Sequence, residues 1–229
     1  MKTQNPKLYI VIPTYNERDN IYQVLDDWYP VVEKHSGGGD SRLVVIDDGS
    51  KDDTYAIMQE YAKTHPLFQP LTKPNGGHGA TVLYGYHYAL EHGAEYIFQT
   101  DSDGQTLPEE FEPFWDQKES YDMVIGWRNN RQDGENRIFV TKTLRFVIRI
   151  CFGVSVTDAN TPFRLMQAET LQKYIGLIPK DFNLSNVILS VIYAKKGCRV
   201  KYIPITFRPR QGGVNSINMK KIFGIGRQA

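Results

Sequence analysis

The chain is poor in the features that mark several functional classes. Its 229 residues include two cysteines, Cys151 and Cys198. Both sit in apolar-basic stretches without a Cys-x-x-Cys or Cys/His ligand spacing, which excludes a disulfide framework and a zinc finger or ribbon. The expectation is a pair of buried, reduced thiols in a cytoplasmic protein. No apolar run approaches the roughly 20 residues that a membrane helix needs; the nearest, residues 146–156, carries Arg149. The amino terminus passes from a few polar residues straight into residues 8–12, without the basic start, long apolar core and small-residue cleavage site of a secretion signal. A formal net charge of +1 gives no long-range pull toward polyanions. Nucleic acid is therefore not expected as a partner, and an anionic ligand must be held by local cationic residues. With 41% hydrophobic residues, the chain fits one globular domain with a substantial core.

What is present is an alternation of compact apolar runs with helix-like segments. Residues 8–12, 43–46, 96–99 and 123–125 read as strands, the first ended by Pro13. Residues 17–34 read as a helix with apolar positions at Ile21, Leu25, Trp28 and Val32. A second helix follows Ser50 or Asp52 as cap and runs to about Thr64; a third follows the loop 73–79, and a short one begins near Pro108. Later, residues 137–152 and 183–196 read as amphipathic helices, and residues 199–207 as a strand placed at an edge by Pro204. The pattern is α/β, with a mostly parallel, doubly wound sheet flanked by helices. Ligands of such sheets collect at the carboxyl ends of the strands, which directs attention to residues 13–17, 47–50, 101–105 and 126–128.

Two of these positions carry paired carboxylates. Asp101 and Asp103 follow a strand directly, and two unpaired carboxylates there would repel unless a hard cation such as Mg²⁺ or Mn²⁺ bound them; Gln105 adds a neutral oxygen. An Asp-rich turn cornered at Asp103-Gly104 is the structural alternative. Asp47-Asp48-Gly49-Ser50 follows its strand in the same way. One of its carboxylates can accept hydrogen bonds from a base or ribose while the other stabilises the turn, with helix capping as the alternative.

The series Ile12-Pro13-Thr14-Tyr15-Asn16-Glu17, Asp47-Asp48-Gly49-Ser50 and Asp101-Ser102-Asp103-Gly104-Gln105 resembles the family 2 glycosyltransferases of GT-A fold. Gly126-Trp127-Arg128, Asp158 with Thr161-Pro162-Phe163-Arg164-Leu165, and Ile203-Pro204-Ile205-Thr206-Phe207 are similar to the dolichyl-phosphate mannose synthase branch, which acts on polyprenyl phosphates. The resemblance spans nearly the whole chain. It implies that Pro13, Tyr15, Glu17 and Asp48 surround the donor nucleoside, and that Asp101, Asp103 and Gln105 hold Mg²⁺ or Mn²⁺ against the departing diphosphate. It also puts Lys73 and the loop through His78 and Gly79 near the donor, although His78 reads equally well as a loop residue facing solvent. Asp158 matches an acidic position near the reaction centre, and a structural partner for Arg164 explains it equally well.

Relatives that transfer to a sugar hydroxyl need a carboxylate base at the start of a late helix. The corresponding stretch here reads Asp181-Phe182-Asn183-Leu184-Ser185-Asn186, with Asp181 ahead of that place. A phosphate acceptor needs no deprotonation but does need cations, for which Arg128, Lys142, Arg145, Arg164 and Arg210 are candidates. The basic and bulky apolar mixture of residues 137–152 suits either a helix lying on an anionic membrane surface or one packed on the sheet. Residues 1–210 are expected to form the catalytic domain. Residues 211–229 are expected to form a donor-side loop and a basic-apolar segment that faces a membrane, continues in a longer chain, or simply frays. The expected activity is inverting transfer of a hexose from a UDP- or GDP-sugar to a polyprenyl phosphate by a protein resting on the cytosolic face of a membrane. The rivals are transfer to a saccharide hydroxyl with Asp158 or Asp181 as base, and a silent nucleotide-sugar-binding module.

Overall fold

The computed structural model describes residues 6–37, 40–128 and 135–208, and the backbone alone of residues 135–142. The strands are β1 (Leu8–Thr14), β2 (Arg42–Asp47), β3 (Phe68–Thr72), β4 (Tyr96–Gln99), β5 (Met123–Arg128), β6 (Arg164–Gln167) and β7 (Val200–Ile205). The helices are α1 (Ile21–Lys34), α2 (Thr54–Ala62), α3 (His78–Glu91), α4 (Glu112–Trp115), α5 (Glu135–Phe152), α6 (Ala168–Ile175) and α7 (Ser185–Lys195), with a 3-10 turn at Pro108–Glu110. The strands form one sheet in the order β3-β2-β1-β4-β6-β5-β7. All run in one direction except β6, which is antiparallel to both of its neighbours.

β1 is buried throughout, as expected of a central parallel strand covered on both faces. Its period of two sends Leu8, Ile10 and Ile12 into a core with Ile21, Leu25 and Trp28 of α1 and Met58 of α2. Tyr9 and Val11 enter the opposite core with Val82 and Tyr86 of α3, Leu171 of α6 and Leu189 of α7. Helices thus cover both faces. A third, smaller cluster joins Ile148 of α5 to Val187 and Val191 of α7, so α5 rests on a helix rather than on the sheet.

Several expectations need correction. β1 does not stop at Pro13. Val11 O accepts from Thr100 N on the β4 side, whereas Thr14 O accepts from Asp48 N on the β2 side. By alternation Pro13 turns its missing N–H toward β4, whose pairing already ends with Gln99 opposite Val11, so the proline interrupts nothing. α1 begins at Ile21 rather than Glu17, because residues 17–20 form a turn in which Glu17 O accepts from Asn20 N and Ile21 N. The N-cap of α2 is Asp53, which makes no side-chain capping bond, rather than Ser50 or Asp52; Asp52, one residue earlier, accepts from Thr54 N at 3.0 Å. β3 and β6 were not anticipated: one is a five-residue edge strand containing Pro70, and the other is four residues long and begins with an arginine. β7 does lie at an edge, as Pro204 requires. Both cysteines are free, but Cys151 is exposed and Cys198 half-buried. Among the described residues, no helix is long and apolar enough to cross a membrane.

Candidate active site

At the carboxyl rim the ends of β1, β2 and β3 stand in register, with Thr14 opposite Asp47 and Asp47 opposite Thr72. Side chains tie the loops above them together. Asn16 N donates to Ser50 Oγ at 2.8 Å, Lys51 N to Asn16 Oδ1 at 2.8 Å and Glu17 N to Thr54 Oγ1 at 3.0 Å. Asn16 takes a positive φ of 53°, a conformation that asparagine tolerates better than most residues. Pro13 and Glu17 are buried, whereas Tyr15 is 41% exposed and presents its ring at the rim.

The acidic pair after β2 divides its work differently from the expectation. Asp47 accepts from Ser50 N and from Thr72 Oγ1, which shapes the turn. Asp48, 4% exposed, accepts from Lys73 Nζ, Gly76 N and Gly77 N. Both carboxylates are therefore engaged within the protein, and Asp48 organises the loop 73–77 with Lys73 as its counter-charge. Burial alone would raise the Asp48 pKa, but Lys73, the two glycine amides and the Thr81 hydroxyl hold it below the usual carboxylate range. Gly49 sits at φ +70°, and a Cβ there would meet Asn75 N at 3.0 Å. At Gly79 a Cβ would lie 2.4 Å from the carbonyl oxygens of Phe182 and Asn183. The close approach that demands glycine at 79 is thus to the chain's own backbone.

Asp101 and Asp103 follow β4, both partly exposed. His78, first residue of α3, donates through Nε2 to Asp101 Oδ1 at 2.9 Å and is half exposed. Burial opposes the imidazolium, yet the fields of Asp101, Asp103 and Asp48 raise the His78 pKa. His78 is therefore tied to the acidic site while keeping half of its side chain in solvent, and the fold, which brings α3 to the end of β4, makes the contact. Asp103 Oδ1 accepts from Gln105 N at 3.2 Å. Gln105 is buried and its Nε2 donates to Arg208 O at 2.8 Å, while Arg208 N donates to Gln105 O.

Across β6, Gln99 and Ile125 both pair with Arg164, so Asp101 and Arg128 leave the same edge of the sheet two strands apart, a lateral separation of about 10 Å. Arg128 is held in fork geometry by Asp158, with Nε to Oδ2 and Nη2 to Oδ1 each 3.0 Å, and its guanidinium lies 5.1 Å from the centre of the Phe207 ring. Asp158 thus forms its fork-shaped ion pair with Arg128 and reaches Arg164 only through its field. Arg145 is exposed and donates through Nε and Nη2 to Thr157 O, one residue before Asp158. Arg164 departs from its expected role as a phosphate ligand. It is 0% exposed, and its donors go to the carbonyl oxygens of Ala159, Thr161 and Asn186 and to Ser190 Oγ. Burial lowers its pKa. It joins β6, the loop before it and α7 into one unit. The Lys142 side chain, Arg210 and the segment 211–229 lie outside the described residues.

A model of glycosyl transferase family 2 matches residues 9–175. The chain belongs to that family. Polyprenol monophosphomannose synthase of Mycolicibacterium smegmatis is 28% identical over 222 residues, covering 93% of this chain and 82% of the relative. Undecaprenyl-phosphate mannosyltransferase of Micrococcus luteus is 25% identical over 221 residues, covering 93% and 88%. Among solved structures, glucosyl-3-phosphoglycerate synthase of Mycobacterium tuberculosis with Mn²⁺, UDP-glucose and phosphoglyceric acid superposes with a TM-score of 0.67 at 17% identity, covering 97% of this chain and 77% of that one. A Pyrobaculum calidifontis mannosyltransferase with GDP-Man and Mn²⁺ gives a TM-score of 0.59 at 21% identity, covering 88% and 56%. These likenesses establish the GT-A fold.

One further part of this family 2 site was invisible in the sequence. The segment after β7 is clasped at two points: Thr206 N donates to both Glu110 carboxylate oxygens at 2.9 and 3.1 Å, and Arg208 pairs with Gln105. The clasp lays Phe207 against Arg128. Glu110 and Arg208 carry no motif; their sequence separation of about a hundred residues closes only through the sheet.

Replacing Asp48 by Asn should destabilise the protein by about 1–3 kcal/mol at pH 7, because a buried ionic hydrogen-bond acceptor is lost. Since the folded-state pKa lies below the ordinary 3.8, this contribution is complete above that value and disappears as the pH falls through the lower folded-state value. Urea midpoints of wild type and variant, compared from pH 7 to pH 3, should accordingly converge only at the acid end. Arg164→Met should cost about 3 kcal/mol in the same assay at pH 7, from the buried carbonyls it strands; an unchanged midpoint would contradict the structural role.

Proposed function

We propose that this family 2 chain transfers a hexose, with inversion, from a UDP- or GDP-sugar to a polyprenyl phosphate, with residues 1–210 as the catalytic domain. The observation that carries the reading is the placement of the Asp101/Asp103 pair and the Asp158-held Arg128 on one rim, two strands apart. An anion-releasing donor and an anionic acceptor need that pairing of carboxylates with a fixed cation. The names of the relatives, a polyprenol monophosphomannose synthase and an undecaprenyl-phosphate mannosyltransferase that match this chain over more than four-fifths of their own lengths, support the same acceptor class.

The donor set at the rim suits a divalent metal. Among the described residues, no group of three or more His, Cys, Asp and Glu side chains converges on a metal position. Two carboxylates without a closed cage fit a Mg²⁺ or Mn²⁺ that completes its shell with diphosphate oxygens and water. Asp101 and Asp103 would hold it. Gln105 could offer it only the carbonyl oxygen of an amide whose nitrogen is committed to Arg208 O. When bound, such an ion neutralises charge developing on the departing diphosphate. Tyr15 would cover the donor's base at the rim, and Glu17, Asp48, Lys73 and Gly79 would keep the surrounding loops in shape from beneath.

On the acceptor side, Arg128 holds the incoming phosphate, with Arg145 as an outer cation. A phosphate oxygen attacks the anomeric carbon from the face opposite the nucleotide, a new C–O bond forms, and the old one breaks with its electron pair passing to the diphosphate. No proton has to be removed. A saccharide acceptor would require a base, and the geometry does not favour one: Asp158 spends both oxygens on Arg128, Asp181 is exposed ahead of α7, and the first turn of α7 offers Ser185 and Asn186. Because a polyprenyl phosphate resides in a bilayer, the reaction is assigned to the cytosolic face of a membrane.

Purified protein with Mn²⁺ and a panel of nucleotide sugars should glycosylate short, water-soluble isoprenyl phosphates and leave free sugars untouched; the opposite preference would overturn the acceptor assignment. Asp103→Ala should lower the rate by about 100-fold or more, and undiminished transfer would remove the metal pair from the mechanism. Arg128→Ala should raise KM for the isoprenyl phosphate by about 10-fold or more through loss of a charge-assisted contact. The thermal shift given by nucleotide sugar and Mn²⁺ should remain as in wild type.

A further inference from the structure

The segment after β7 brings an aromatic ring to a cation whose hydrogen-bonding directions are largely taken. β7 pairs with β5 as far as Ile205 opposite Arg128. A Cβ at Gly126 would lie 2.7 Å from Ile205 Cδ1, so Ile205 fills the space that the glycine leaves, and the chain runs on over the rim. There both neighbours of Phe207 are tied down. Thr206 N donates to the Glu110 carboxylate, and Arg208 bonds to Gln105 through its own N and O. The backbone of Phe207 is thereby fixed, and its half-buried ring is centred 5.1 Å from the guanidinium carbon of Arg128.

A guanidinium is a planar fork of N–H donors. In Arg128, Nε and Nη2 are spent on Asp158, and the side chain is 12% exposed. Among the described residues its hydrogen bonds go to Asp158 alone, which leaves the Nη1 edge for an oxyanion beside the Phe207 ring. Whatever is esterified to that oxyanion then meets the ring. A group rich in hydroxyls would lose water there without gaining partners. A hydrocarbon would gain by covering the ring.

Resting on the assignment of Arg128 to the acceptor phosphate, we propose that Phe207 is a specificity-determining residue whose ring forms the apolar wall for the first isoprene unit of the acceptor. In an isoprenyl phosphate the hydrocarbon begins at the ester oxygen itself, so a phosphate anchored on Nη1 carries that first unit past the ring. Phosphates of polyhydroxylated alcohols find the same cation and are disfavoured by the same wall. Selection is thus made at the phosphate end of the acceptor, by a side chain that Glu110 and Gln105 hold in place from the loop after β4. The rim of β1, β2 and β3, assigned to the donor nucleoside, lies toward the other end of the sheet, so the ring acts on acceptor choice and not on nucleotide binding.

The test is transfer by the full chain to a short isoprenyl phosphate, with glycerol 3-phosphate as competitor, for wild type, Phe207→Ala and Phe207→Leu. Mn²⁺ and the UDP- or GDP-hexose that wild type turns over are held at saturation. Phe207→Ala should raise KM for the isoprenyl phosphate about tenfold, the worth of a few carbon contacts, with kcat changed less. The inhibition constant of glycerol 3-phosphate should stay within about twofold, because its phosphate still finds Arg128. Phe207→Leu keeps apolar surface without the ring's quadrupole and should recover most of the wild-type KM. The thermal shift given by nucleotide sugar and Mn²⁺ should be the same in all three proteins. A Phe207→Leu variant as impaired as Phe207→Ala, or an equal loss for both phosphates, would mean that the ring only braces Arg128, and overturns the proposal. An isoprenyl phosphate KM that ignores Phe207→Ala overturns it alone, whereas no transfer to isoprenyl phosphate by wild type overturns the acceptor reading and this proposal together.

Discussion

The pairing of β4 and β5 to opposite sides of the reversed strand β6 constrains where chemistry can happen in this chain. Gln99 and Ile125 meet the same residue of β6, so the acidic loop after β4 and the Arg128 end of β5 emerge side by side although 25 residues of other structure intervene. With β1, β2 and β3 running the same way, every loop that follows a strand in the first half arrives at one rim. A parallel sheet needs both faces covered, and the long crossovers that cover it are what return each strand to the same starting edge.

Arg164 keeps that arrangement in place from below. A guanidinium with no exposure is costly unless its donors are satisfied, and here they are spent on three backbone carbonyls and a serine hydroxyl contributed by the loop before β6 and by α7. The same loop carries Asp158, which holds Arg128. A buried arginine thus braces the loop whose Asp158 holds the half-buried Arg128 at the rim. On the donor side Asp48 has the equivalent task, fastening the loop 73–77 that leads into α3 and so bringing His78 to Asp101. Strong hydrogen bonds to ionised groups in sheltered places fix both halves of the rim.

The helix α5 stands apart from this framework. It packs on α7, and among the described residues Phe146, Val147 and Ile150 stand exposed on its other side. Its chemistry differs from that of the other surface helices: α1 and α6 present charged residues of both signs outward, whereas α5 presents apolar and basic ones.

Much of the architecture is written locally. The runs 8–12, 43–46 and 96–98 are apolar without interruption, and the turn chemistry after them places Asp47, Asp48, Asp101 and Asp103 at strand ends, so the α/β class and the rim followed from order and spacing, and the family from the resemblance of the motifs those turns carry. β3 and β6 were not legible, because four or five residues containing a proline or an arginine carry no periodicity of their own and become strands only where neighbours offer a free edge. Which side Pro13 turns toward, whether an arginine is a ligand or a buried brace, and which carboxylate serves a loop rather than a substrate all depend on contacts between residues 20 to 100 positions apart. The amino-acid sequence by itself determined the elements and the chemical groups at their ends. Only the tertiary structure decided their partners, because a charged side chain's role is set by whichever group burial brings within hydrogen-bond distance.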